Sequence, residues 1–104
     1  MKGAKINILD AIGNTPIVKL NKVASGVKSE IYVKLDYLNP GGSIKDRIGA
    51  YILEQAVKNG DLKPGGTVIE GTSGNTGIAL AFICAARGYK LVLTMPTSMS
   101  VERQ

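Results

Sequence analysis

The chain has 104 residues, 44% of them hydrophobic and 20% charged, which suffices for one small domain with a modest core and is too evenly mixed for a disordered or low-complexity segment. Its net charge is +5, yet Lys and Arg are scattered from Lys2 to Arg103 with no basic run, which argues against a nucleic-acid partner and leaves only a general attraction for small anions. The lack of histidine and the single cysteine, Cys84, exclude serine–histidine catalysis and an internal disulfide within the chain. Asn7 and Asp10 interrupt the N-terminus before any signal-peptide core, and no apolar stretch reaches the roughly twenty residues of a membrane span, so a cytoplasmic chain without a membrane partner is expected.

In chain order, Ile8 to Ile12 predicts a short helical turn, stopped by Gly13-Asn14-Thr15-Pro16. Ile17-Val18-Lys19-Leu20 alternates like a strand, 21–29 is polar and loop-like, and Ile31 to Leu35 alternates again, with Ile31, Val33 and Leu35 on one face. Asn39-Pro40-Gly41-Gly42 breaks the chain. Ser43 is then placed as an N-cap, with Asp46 in a first turn where the helix dipole favours a carboxylate. This helix runs from about Ile44 to Lys58; Ile44, Ile48, Tyr51 and Ile52 form an apolar stripe that Gln55 breaks, and Asn59-Gly60 supplies the stop.

Lys63-Pro64-Gly65-Gly66 turns the chain into a strand over Thr67 to Glu70, which leads through 71–77 into a second helix. The run 78–87 is almost wholly apolar, which predicts burial on more than one side, with Cys84 as a buried small hydrophobe. Gly88 ends that helix before a strand over Lys90 to Met95. Strand, helix, strand with short links is a βαβ unit, so the expected fold class is α/β, a parallel sheet flanked by helices. Pro96 to Gln104 reads as the opening of a third helix capped by Ser98 or Ser100. Two helices and part of a third do not cover both faces of a parallel sheet, so the expectation is an incomplete unit completed by a partner or a further C-terminal part.

Two loops carry chemistry. In Asn39-Pro40-Gly41-Gly42-Ser43-Ile44-Lys45-Asp46-Arg47 a glycine-rich loop runs into a helix and sets Lys45 in its first turn. Positive potential there, together with burial beneath a second domain, favours the neutral amine that imine formation needs, and the glycines let a flat ring approach the backbone. The competing reading of the same residues is a solvated lysine paired with Asp46 or Glu54. It is not a P-loop, because serine precedes the lysine. In Thr72-Ser73-Gly74-Asn75-Thr76-Gly77, between a strand end and a helix start, backbone N–H groups and hydroxyls converge on an anion such as a carboxylate or phosphate. Its glycine spacing does not fit the dinucleotide pattern, and its competing reading is a plain helix cap.

Together, 39–47 and the Glu-Gly-Thr-Ser-Gly-Asn-Thr-Gly run at 70–77 resemble the cysteine synthase and cystathionine β-synthase family of fold-type II pyridoxal-phosphate enzymes. Ile12 to Val18 is similar to the family's opening segment and Met95-Pro96 to Arg103 to its Met-Pro-x-x-Met-Ser-x-Glu-Arg stretch, so the resemblance covers essentially the whole chain. Gly71 and Ile44 depart from the commoner proline or alanine and valine without touching a chemical role.

The resemblance implies pyridoxal 5'-phosphate as cofactor and no metal. It makes Lys45 the catalytic lysine that holds the cofactor as a Schiff base and moves the substrate's α-proton. It makes Asn75 the cofactor-binding amide that meets the ring hydroxyl oxygen, and Thr72, Ser73, Asn75 and Thr76 the loop that grips the substrate's α-carboxylate. The implied reaction is β-replacement, O-acetyl-L-serine and sulfide giving L-cysteine and acetate, with a small amino acid and sulfide as partners and a homodimer at full length. A cystathionine β-synthase or an O-phosphoserine-using relative is the enzyme rival; a non-catalytic remnant or interaction module is the rival of another class. By the same resemblance the chain is an incomplete N-terminal portion of a two-domain enzyme, 1–38 being a lead-in that packs with a C-terminal domain and 39–104 a partial small α/β domain. The family's phosphate loop and its serine near the pyridine nitrogen have no counterpart before Gln104, so the chain alone is expected to show little or no turnover.

Overall fold

Glycine stops and apolar runs translate into a βαβ unit in the computed structural model, which describes residues 1–72 and 74–103. Strands β1 (Ile17–Lys19) and β2 (Tyr32–Lys34) come first, followed by helix α1 (Lys45–Lys58). Then come β3 (Thr67–Gly71), α2 (Asn75–Arg87) and β4 (Lys90–Thr94). Short 3-10 turns lie at Ile8–Ala11 and Asp36–Leu38.

The parallel pairing expected across the βαβ unit is present, with β3 and β4 in register from Thr67 opposite Lys90 to Gly71 opposite Thr94. A second, antiparallel pair joins β1 to β2, Ile17 opposite Lys34. Alternation marked each short strand, but it carries no information about a strand's partner. Gly88 closes α2 in the left-handed conformation at φ 78°, where its amide donates to the Cys84 carbonyl. The Tyr89 amide joins the same acceptor at 2.9 Å, and β4 can start at once.

The core is the contact of α1 with α2. Gly49 has no side chain, and a Cβ there would lie 3.2 Å from Ile83 Cδ1 and 3.4 Å from Ala79 Cβ, so the two helices approach at van der Waals distance. Leu53, Leu62, Leu80, Ile83 and Cys84 fill the space beside that contact, and Leu9, Ile12, Val68 and Leu91 pack around them. Cys84, only 1% exposed, is the buried small hydrophobe expected of it.

Three expectations are corrected. The apolar stripe of α1 does not face the core: Ile44, Ile48, Tyr51 and Ile52 are 41–64% exposed, while the buried positions are Asp46, Gly49 and Leu53, roughly on the other side of the helix. Likewise α2 is buried on one side only, through Gly77, Ala79, Leu80, Ile83 and Cys84, and Ile78 stays 52% exposed. Finally, 96–103 forms isolated turns, Met99 N–H to the Pro96 carbonyl and Arg103 N–H to the Ser100 carbonyl, and no helix among the described residues. Serines and a threonine there offer the backbone competing hydrogen bonds.

The outward apolar faces leave a large surface. The chain exposes 7549 Å², against about 5,600 Å² for a folded monomer of this mass. Its radius of gyration is 17.3 Å, against about 13 Å for a compact domain of this length.

The two faces of α1 separate by mutation. Leu53→Ala is expected to cost roughly 2–5 kcal/mol of unfolding free energy and the neighbouring Ile52→Ala within about 0.5 kcal/mol of nothing, as read by urea denaturation of the chain. A larger loss at Ile52 than at Leu53 shows that the helix is seated the other way round.

Candidate active site

Three side chains of the α1 start divide the work. Asp46 is fully buried and accepts the Gly41 amide at 2.6 Å through Oδ2. Arg47 reaches back to Asp36 Oδ1 at 3.0 Å and to Thr15 Oγ1 at 3.3 Å. Lys45, the first residue of α1, is half-buried and makes no ion pair among the described residues. The partners of the competing solvated-lysine reading are occupied elsewhere, Asp46 by Gly41 and Glu54 by Lys58 at 3.3 Å.

The turn before Lys45 is built differently from expectation. The N-cap is Ile44, not Ser43, and has no side-chain capping bond. Ser43 Oγ still accepts the Lys45 amide, at 3.2 Å, so the serine does the chemistry of a cap one residue early. Gly41 and Gly42 have separate reasons to be glycine. A Cβ on Gly41 would collide with Asp46 Oδ1 and lie 2.9 Å from Phe82 Cε1 of α2, so Gly41 serves packing. Gly42 sits at φ +86° with no atom within 4 Å of a Cβ position, so it is the one that leaves open space beside the lysine.

The second loop lies at the carboxyl ends of β3 and β4, the ordinary place for a ligand in an open α/β sheet. An open cleft of about 380 Å³ is lined there by Gly71, Thr72, Thr94, Met95, Pro96 and Met99. Sequence reading missed the contribution of Pro96 and Met99 because it placed the opening of a helix on a segment that instead forms turns beside the strand ends. The N-cap of α2 is Gly74, which has no side chain to cap with, and Thr72 Oγ1 accepts the Gly74 amide at 3.4 Å. The first-turn amides of Asn75, Thr76 and Gly77 have no acceptor within the helix. Asn75 is exposed, and Thr72 and Thr76 are half-buried. Ser73 lies outside the described residues.

The α1–α2 contact relates the two loops. Gly49 is one turn from Lys45, and Ala79, which it touches, is one turn from Asn75. Adding two helical turns to the contact places the Lys45 and Asn75 Cα atoms less than roughly 20 Å apart. Lys45 does not line the cleft itself, and the two loops stand at the starts of two helices in contact.

Such a juxtaposition suits a flat, anionic aldehyde: an amine without a carboxylate partner, open space over Gly42, and an amide-rich helix start. The sequence comparisons name the group. A family model described as "Pyridoxal-phosphate dependent enzyme" matches residues 8–104. The chain belongs to that family.

Among curated relatives, a cysteine synthase of Staphylococcus aureus is 57% identical over 98 residues, 94% of this chain and 32% of that protein. A cystathionine beta-synthase of Apis mellifera is 54% identical over 99 residues, 93% of this chain and 20% of that protein. The crystal structure of a hydrogen sulfide-producing enzyme from Fusobacterium nucleatum superposes with a TM-score of 0.91 at 48% identity, over 99% of this chain and 34% of that one. The chain spans about a third or less of the length of these relatives. The α/β fold expected from sequence is thus the family's fold over that stretch.

Asp36, the partner of Arg47, is the one carboxyl among the described residues whose titration is clearly shifted. Its carboxyl is held below its ordinary 3.8, chiefly by the 2.6 Å bond from the Thr15 hydroxyl and, against an opposing desolvation, by Arg47 and Lys34. A depressed carboxylate pKa stabilises the fold when ionised, in full above the ordinary value, and that share is lost as pH falls through the lower folded value. Asp36→Asn is therefore expected to be less stable than the parent chain near neutrality, with the gap closing below about pH 4, measured as unfolding free energy against pH. A gap independent of pH removes Asp36 as a charged anchor.

Proposed function

We propose that this chain carries the lysine half and the substrate-loop half of a pyridoxal-phosphate dependent β-replacement enzyme of the cysteine synthase type. The observation that carries the reading is the placement of Lys45 and Asn75 on the first turns of two helices packed through Gly49 and Ala79. In this reading Lys45 and Asn75 would hold the cofactor, Lys45 through its aldehyde and Asn75 through the ring oxygen. Thr72, Ser73, Asn75 and Thr76, with the leading amides of α2, hold the α-carboxylate of the amino acid. When bound, the cofactor supplies the electron sink that makes the α-proton acidic. Lys45 would be the group that accepts that proton, at Nζ. The amino acid is O-acetyl-L-serine and the nucleophile sulfide, supported by the likeness to the staphylococcal cysteine synthase. The likeness to a cystathionine beta-synthase favours a second reading with homocysteine as nucleophile.

Residues 1–38 pack against a C-terminal domain in this proposal. The outward stripe of α1 and the open face of the parallel pair, where Ile69 is 67% and Val92 46% exposed, are covered in the same assembly, a cytoplasmic homodimer. The described residues hold no second glycine-rich phosphate cradle, so the 104 residues alone turn over slowly or not at all.

The test has two parts. Mixed with pyridoxal phosphate and reduced with borohydride, the chain is expected to carry the cofactor on Lys45, located by peptide mapping, and Lys45→Ala to lose that adduct. A chimera in which this chain replaces the matching third of the staphylococcal enzyme should form cysteine from O-acetyl-L-serine and sulfide, with Lys45→Ala lowering the rate roughly 10²–10⁴-fold. A folded chimera that makes cystathionine from homocysteine but no cysteine selects the second reading; one that does neither and shows no imine band rejects both.

A further inference from the structure

The Gly13-Asn14-Thr15 turn does more than stop the first 3-10 helix. Thr15 is 7% exposed and its hydroxyl stands between Asp36 Oδ1, at 2.6 Å, and Arg47 Nη2, at 3.3 Å. Its carbonyl accepts from the Lys34 amine. The Gly13 amide donates to Asn39 Oδ1 at 2.8 Å, and Asn39, 4% exposed, donates in turn to the Asp36 carbonyl at 2.9 Å. Gly13 itself adopts φ +87°, and a Cβ there would lie 3.2 Å from Arg47 Nη1, so only glycine leaves room for the guanidinium.

All of these contacts converge on the loop that delivers Lys45. Asn39 opens it, Asp46 ties down its middle through the Gly41 amide, and Arg47 ties down its far end. Asp46 is fully buried, while Lys45 and Arg47 on either side of it are half-buried, Arg47 with its guanidinium held on Asp36. Two of three consecutive charged side chains, Asp46 and Arg47, are thus spent on anchoring, which leaves Lys45 beside them for another role.

We propose that Thr15 and Asp36 are positioning residues that aim Lys45 by fixing Arg47, an inference that rests on the assignment of Lys45 as the cofactor lysine. The hydroxyl is the central element. It donates to the carboxylate and accepts from the guanidinium, so it completes a three-membered ring of hydrogen bonds that a carboxylate–guanidinium pair alone leaves free to slide. Loss of the hydroxyl leaves the Asp36–Arg47 ion pair, at the edge of solvent, as a weaker tie.

The test compares Thr15→Val, which keeps shape and removes the hydroxyl, with Thr15→Ser, which keeps the hydroxyl, and with Asp36→Asn, all in the full chain. Amide hydrogen exchange over 39–47 is expected to rise about tenfold in Thr15→Val and Asp36→Asn and to stay near the parent value in Thr15→Ser. Exchange over 78–87 serves as the control for folding. In parallel, borohydride-trapped pyridoxal phosphate is mapped on Lys45 relative to Lys58 at the other end of α1; the ratio should fall about tenfold in the same two variants and recover with serine. Unchanged exchange over 39–47 overturns the positioning role, whatever the labelling shows. Raised exchange with an unchanged labelling ratio overturns it as well, because the anchor then holds the loop without aiming the amine. A parent chain that labels Lys45 no better than Lys58 instead sinks the cofactor assignment and, with it, the aiming of a cofactor lysine.

Discussion

Everything functional in this chain depends on how closely two helices can pass. Gly49 on α1 and Ala79 on α2 remove the side-chain bulk that keeps most helix pairs 8–10 Å apart, and Ile83 closes over the contact. Each helix begins one turn away, in a loop rich in glycine. Close passage therefore brings two first turns, one bearing an amine and the other a row of amides with no acceptor within their helix, to within roughly 20 Å of each other. Neither loop would have that neighbour if a large side chain stood at position 49.

A good deal of this was legible in the residues. The βαβ order, the left-handed stop at Gly88, the burial of Cys84 and the two chemical loops all follow from local signals, because glycine conformations, strand alternation and helix starts are properties of short segments. What could not be read was which neighbour a segment meets. Ile44, Ile48, Tyr51 and Ile52 announce an apolar stripe, but apolarity does not specify what covers it, and the core side of α1 is instead defined by a missing side chain at Gly49 and a buried carboxylate at Asp46. The bonds joining Thr15 to Asp36 and Arg47 span 21 and 32 residues, far outside any local pattern. The helix expected from Pro96 failed for a local reason, since the serines and threonine of 97–100 offer the backbone hydrogen bonds that compete with a helix start.

The unburied apolar surface is the physical counterpart of the chain's length relative to its kin. A parallel pair with helices on one side only leaves Ile69 and Val92 open on the other, and α1 presents a second apolar strip. In relatives roughly three times as long, the same stretch superposes closely, so the backbone conformation of this stretch is compatible with its surroundings there. The lead-in segment contributes on both counts: Leu9 and Ile12 seal the α1–α2 core, and Gly13 and Thr15 reach the lysine loop.

The burial of Cys84 has a chemical consequence of its own. On the buried side of α2 and at 1% exposure, its thiol is pushed above its usual pKa by desolvation, and near neutrality it remains protonated. Oxidants, alkylating reagents and sulfur-transferring species all attack the thiolate, so this sulfur stays inert for as long as the helix is seated and becomes reactive once it lifts. The protein thereby carries a built-in reporter of its own opening, readable with any thiol-directed dye.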